Sequence, residues 1–175
     1  MAVRTLISGA LLVVASTTLA LSQAATPIGS FKQWSAYTYT DAEGKSCYIA
    51  SQPQSSKYSR EISGRDPAFF LVTTRVSSDP AKTVRNEAST IIGYPFADNV
   101  KVTVEIDGAT TFTMFTDKDS AWIENPAQEA DLIAAMQKGN HMTVVGKSRR
   151  GTLTTDTYSL SGLTAALDAI AKECQ

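Results

Sequence analysis

Residues that mark most catalytic centres are scarce in this chain. It has one histidine, His141, and two cysteines, Cys47 and Cys174. A lone histidine excludes a histidine-rich metal centre, and its place at an expected helix-to-strand junction suits a solvent-facing or capping role. No G-x-S-x-G elbow is present to expose a nucleophilic serine. Gly146-Lys147-Ser148 has the ending of a phosphate-binding loop, but the glycine required five residues before Gly146 is replaced by His141. Neither sign of charge dominates, with 16 basic and 17 acidic residues. That balance offers no electrostatic case for nucleic acid or for an anionic membrane. Beyond Leu21 no run is apolar enough to span a bilayer. There is no internal repeat and no low-complexity tract. No catalytic set, cofactor or metal site is expected.

The first residues have a distinct layout. Arg4 is followed by an uncharged, mostly apolar stretch from Leu6 to Leu21, then by small residues at Ser22, Ala24 and Ala25. Charge, short apolar core and small-residue exit describe a secretory signal peptide. Ser8, Gly9, Ser16, Thr17 and Thr18 interrupt the apolar stretch, which is short for a span of ~20 residues. Cleavage is expected after Ala24. Residues 1–24 are then a leader and 25–175 a single domain, large enough for its own core. Arg4 is the only charge lost with the leader, so 15 basic residues face 17 acidic ones, a net charge of −2. The expected location is the periplasm, the outer surface or the medium. Two cysteines in an exported chain suggest a disulfide, Cys47–Cys174; the other reading is a pair of buried free thiols. A bridge between positions 127 apart stabilises by roughly 4–5 kcal/mol in the chain-entropy model.

Strand signals dominate the remainder. Thr26 to Ser30 reads as a leader segment and Phe31 to Thr40 as a first strand anchored by Trp34, Tyr37 and Tyr39. Ser46 to Gln52 is a second, with Cys47 and Ile49 on one face and Tyr48 on the other. The polar stretch Pro53 to Pro67 reads as a mobile loop. Ala68 to Val76 is a dense apolar run of central-strand type. A weaker strand is expected over Asn86 to Ile92. Val100 to Ile106 alternates, and Asp107-Gly108 after it is the strongest hairpin signal in the chain, leading into Thr110 to Thr116. Ala121 to Ile123 is a short strand. Asn125-Pro126 opens a helix, asparagine suiting the cap and proline the first helical position, and Lys138-Gly139 closes it. Met142 to Ser148 and Thr152 to Leu160 flank the turn Arg149-Arg150-Gly151. A last helix starts near Gly162, with Leu163, Leu167, Ile170 and Cys174 on one face. Eight or nine short strands with two short helices predict a mainly β fold, an antiparallel two-sheet sandwich.

Two places combine unusual chemistry. Asp156 lies among Thr152, Thr154, Thr155 and Thr157 in an expected strand, where aspartate is disfavoured. It would pair with Arg149 or Arg150, anchor the following turn, or line a binding surface. Lys147, Arg149 and Arg150 make a basic hairpin tip that could meet anionic sugar, lipid headgroups or a partner's carboxylates; the plain alternative is a solvated turn. Together Lys147, Arg149, Arg150 and Asp156 form the candidate binding surface. Asp117 and Asp119 flank a turn but supply too few oxygens for calcium.

One segment has a family likeness. Lys138-Gly139, Val144-Val145-Gly146-Lys147-Ser148, Arg150-Gly151-Thr152, and the run from Asp156 through Tyr158, Leu160, Gly162 and Ala165 to Leu167 resemble the invasion-associated locus B (IalB) family of bacterial envelope proteins. Phe31, Trp34 and Cys47 fit the same likeness. It implies an immunoglobulin-like β-sandwich with two short helices, one at the C-terminus, an exported single domain and a link to host-cell invasion. It does not imply an enzyme. Three functional readings follow: an envelope protein that binds an unknown protein or envelope component, a structural or stress-protective periplasmic protein, and an envelope hydrolase using Asp156 with a nearby threonine or arginine. The oligomeric state and the partner's identity are not legible.

Overall fold

The computed structural model describes residues 24–175, so the expected leader lies outside the described residues except for Ala24. Eleven strands follow in chain order: β1 (Thr26–Phe31), β2 (Trp34–Asp41), β3 (Gly44–Ser51), β4 (Ser55–Tyr58), β5 (Phe69–Ser77), β6 (Val84–Ile91), β7 (Lys101–Ile106), β8 (Thr110–Asp117), β9 (Ser120–Ile123), β10 (His141–Lys147) and β11 (Leu153–Ser159). Helix α1 (Glu129–Lys138) lies between β9 and β10, and α2 (Leu163–Glu173) follows β11. Among the described residues these strands make one open sheet in the order β1-β2-β3-β5-β6-β9-β8-β7-β10-β11-β4, with every pairing antiparallel.

The mainly β, antiparallel reading with a C-terminal helix therefore holds, but the immunoglobulin-like pair of sheets is replaced by a single sheet. The physical reason is β9. This short strand hydrogen-bonds on both sides, to Ser89–Ile91 of β6 and to Met114–Asp117 of β8, and so joins what would otherwise be two layers.

Connectivity shows that the sheet is rolled. β3 stands third in the order and β4 at the far edge, yet only residues 52–54 connect them. Across a flat sheet the separation would be ~38 Å at the usual strand spacing, whereas such a link reaches ~14 Å. The two ends accordingly face each other. Trp34 Nε1 of β2 donates to Ser159 O of β11 at 3.0 Å, and the Phe70 and Tyr158 rings meet edge-on with centroids 6.1 Å apart. Inside the roll lies one core, in which Trp34, Ile49, Phe70, Met114, Leu132 and Tyr158 are fully buried.

Local signals explain most of the elements. Asp107 and Gly108 both have positive φ, at 49° and 70°, and Ala109 N–H donates to Ile106 O at 3.0 Å. This is the turn that Asp-Gly favours between two twisted strands. The Asp107 carboxylate also accepts from the N–H groups of His141 (2.8 Å) and Asn140 (3.0 Å), which hold it below its ordinary pKa; His141 itself is exposed. Asn125 Oδ1 accepts from Ala127 N–H at 3.1 Å and caps a single 3-10 turn that runs into α1. The apolar stripe of α2 is buried at Leu163, Leu167 and Ile170, against β1, β2 and β3. The expected bridge is present: Cys47 of β3 and Cys174 beyond α2 are disulfide-bonded, with Cα atoms 6.0 Å apart.

Two strands depart from expectation. β1 occupies the stretch read as a leader; none of its residues is fully buried, and Ile28 and Phe31 are the ones that pack against the core, so it shows little hydrophobic alternation. β4 falls inside the stretch read as a mobile loop. Its sequence, Ser-Ser-Lys-Tyr, carries no buried apolar residue, because what it directs inward is polar. Among the described residues no helix is long and apolar enough to cross a membrane.

Candidate functional site

Alternation along β11 turns Thr154, Asp156 and Tyr158 inward and leaves Leu153 exposed. Asp156 is opposite Ser56 in the β11–β4 register and is completely inaccessible to solvent. Burial of a carboxylate requires a paired charge and satisfied oxygens. Arg65 supplies both, with Nη1 2.7 Å from Oδ1 and Nη2 2.6 Å from Oδ2. Ser56 Oγ donates to Oδ1 at 2.6 Å. Arg65 Nε donates in turn to Ile92 O at 2.6 Å, and the guanidinium lies over the Tyr94 ring, 5.2 Å from its centroid. The Tyr94 and Thr154 hydroxyls are 2.6 Å apart. Burial pulls the guanidinium pKa down, but the bonds and charge of Asp156 outweigh it, and the net shift is upward. The pair is a planar two-point match, the strongest geometry available to these side chains.

Asp156 thus pairs with neither Arg149 nor Arg150. Its partner comes from the segment between β4 and β5, where the sequence shows only polarity and no periodicity. The one available signal was the aspartate itself, since a buried carboxylate demands a cation; it does not say which of the 16 basic residues answers. A depression of about 270 Å³ beside the pair is lined by Ser56, Tyr58, Arg65 and Asp66, and Asp156 is not among its lining residues.

At the other end of the same hairpin lies the basic tip. Lys147 is opposite Leu153 in the β10–β11 register. Ser148 N–H donates to Thr152 O at 2.9 Å, and Thr152 N–H donates to Ser148 Oγ at 3.1 Å. The tip is also tied to the segment before β7: Arg149 N–H donates to Pro95 O at 2.9 Å, and Ala97 N–H to Lys147 O at 3.0 Å. The backbone is therefore held on two sides, while the side chains of Lys147, Arg149 and Arg150 are exposed. Arg60, from the segment after β4, joins them by donating from Nε to Thr152 Oγ1 at 2.9 Å. Among the described residues the ion pairs are Lys45–Glu173, Arg65–Asp156, Arg75–Glu87 and Lys101–Glu124. None involves a tip cation. The structure brings Lys147, Arg149 and Arg150 together and keeps Asp156 apart from them, inside the roll.

Comparison with known proteins places this geometry in context. A family model described as invasion associated locus B (IalB) protein matches residues 34–171. A search of curated proteins returned no match. Among solved structures, the crystal structure of invasion associated protein B from Bartonella henselae is similar, with a TM-score of 0.52 and 12% sequence identity, over 83% of this chain and 97% of that one. At that identity the likeness is one of fold.

Proposed function

Because this chain belongs to the invasion associated locus B family, we propose that it is an exported, non-catalytic envelope protein that acts by binding a macromolecular partner through the tip of the β10–β11 hairpin. The observation that carries this reading is the combination at the tip of a fixed backbone with exposed, unpaired cations. A surface whose backbone is already ordered loses less freedom on docking, and cations without internal partners have nothing to give up but water. The non-catalytic part is supported by Asp156, whose carboxylate is committed to Arg65 and Ser56. The signal-like leader supports a periplasmic location, with the outer surface as the alternative, and the name of the solved relative supports host-cell contact as the setting.

Crosslinking in intact cells tests it. The parent protein is expected to crosslink to an envelope component, protein or lipid, and the triple variant Lys147→Ala, Arg149→Ala, Arg150→Ala is expected to lose that crosslink. An unchanged crosslink in the triple variant overturns the assignment of the tip. Protease treatment of intact and permeabilised cells, run alongside, separates the two locations: digestion in intact cells means surface exposure, and protection until permeabilisation means periplasm.

A further inference from the structure

The large exposed apolar side chains among the described residues are Tyr58, Ile62, Phe115 and Leu153. Leu153 is the one that lies on the outward face at the end of the molecule carrying the basic tip. Leu153 is 48% exposed and lies opposite Lys147. On its other side Ser59 N–H donates to Leu153 O at 3.0 Å, while Tyr58, opposite Thr154, belongs to the other face of the strand pair. Lys57 is opposite Thr155, on the face of β11 that Leu153 shares. Lys57 and Lys147 therefore share the face of Leu153, Arg149 and Arg150 occupy the adjoining turn, and Arg60 is held at Thr152; all five cations are exposed. Within segments 57–66, 94–98 and 147–153 the carboxylates are Glu61, Asp66 and Asp98, so these segments carry a positive excess on a chain whose overall formal charge is −1.

We propose that this end of the roll docks on an anionic lipid surface, with the cations at the phosphate layer and Leu153, set between Lys147 of β10 and Lys57 of β4, entering the headgroup–acyl boundary. The inference rests on the reading of the tip as the binding surface and names its partner. An exposed leucine set between cations matches the layered polarity of a bilayer surface. The cations come from two separate chain segments, 57–60 and 147–150, and do not converge on one point as a carboxylate pocket would. Phosphates in a fluid layer need no fixed spacing, so this arrangement suits them.

Vesicle flotation of the exported protein, with its disulfide intact, tests the proposal. Binding is expected to vesicles rich in phosphatidylglycerol and not to phosphatidylcholine alone, and it should weaken as salt is raised. The triple variant Lys147→Ala, Arg149→Ala, Arg150→Ala is expected to lose affinity on the order of 100-fold. Leu153→Ser should cost about tenfold while leaving the salt dependence in place. All altered side chains are exposed, and an unchanged urea midpoint confirms that each variant is folded. No binding, equal binding to both vesicle types, or undiminished binding of the triple variant overturns the proposal. If vesicles fail and polyglutamate binds, the partner is an acidic polypeptide and the lipid assignment falls. If the triple variant loses its cellular crosslink although no vesicle binds, the tip reading stands and only the lipid assignment fails; if the crosslink also survives, both fail.

Discussion

Asp156 and Arg65 are 91 residues apart in sequence, and each is tolerable inside the protein only because of the other. Removing one partner leaves the second charge buried and unpaired, a change that costs about 3–5 kcal/mol. Asp156→Asn and Arg65→Met are each expected to lower the unfolding free energy by that amount in urea titrations. The double variant Arg65→Met, Asp156→Leu should be more stable than either single one, because no lone charge remains; additive losses would show that the two side chains do not act as a pair. Glu129 differs. Burial pushes its pKa up, the Ala88 N–H that it accepts pulls it down, and the nearby Glu87 charge adds to the rise. A raised carboxyl pKa means that the folded state holds the proton more tightly than the unfolded state. Its stabilising effect is then complete below the ordinary glutamate value and is lost as pH rises through the folded value. Glu129→Gln keeps a carbonyl acceptor for Ala88 and removes the titration. Its stability is expected to exceed the parent's at neutral pH and to converge on it in acid, as followed by thermal unfolding across pH.

At the scale of elements, the entry to α2 depends on one backbone conformation. Gly162 has φ +95°, and a Cβ there would lie 1.9 Å from Phe31 O. The glycine lets the chain leave β11 and start the helix while β1 passes directly over it. Gly162→Ala should destabilise by more than about 1 kcal/mol, with the loss visible as faster amide exchange in α2 and β1 ahead of the rest of the sheet. Uniform exchange across the molecule would refute a local role. β4 illustrates the reverse situation. It has no apolar pattern and holds its place through pairing with β11 and the Ser56–Asp156 bond, so its existence as a strand depends on residues far away in sequence.

For the whole molecule, the constraint is closure of the roll and of the chain. The Cys47–Cys174 bridge ties the end of α2 to β3 across 127 positions. Lys45 reinforces the same junction by donating from Nζ to Glu173 O at 2.8 Å, and Arg85 Nη1 donates to Cys174 O at 3.2 Å. A ring this long is expected to contribute about 5 kcal/mol through the entropy it removes from the unfolded chain. The urea midpoint should fall sharply on reduction, and Cys47→Ser with Cys174→Ser should reproduce the reduced value. Coincident midpoints for oxidised and reduced protein would mean that the unfolded ensemble is already compact enough for the bridge to add nothing.

Periodicity and turn chemistry in the sequence determined the elements whose cause is local. The alternation of Val100 to Ile106, the Asp107-Gly108 turn, the Asn125-Pro126 helix start and the apolar face of α2 were all legible, because each depends on neighbours within a few residues. The two cysteines could be paired by elimination, given an oxidising compartment. Tertiary structure alone decided the rest. Whether the strands made two sheets or one depended on β9, four residues that bond on both sides, and no pattern within four residues reveals two partners. The candidate site divided for the same reason. Alternation sends Asp156 inward to an arginine supplied by a distant segment and leaves Lys147 outward, although both lie on one hairpin. The overall charge balance gave no reason to expect a basic surface. The hairpin turn itself groups Lys147, Arg149 and Arg150, and rolling the sheet brings β4 beside β11 and adds Lys57 and Arg60 to them. Composition counts charges, and only the fold places them side by side.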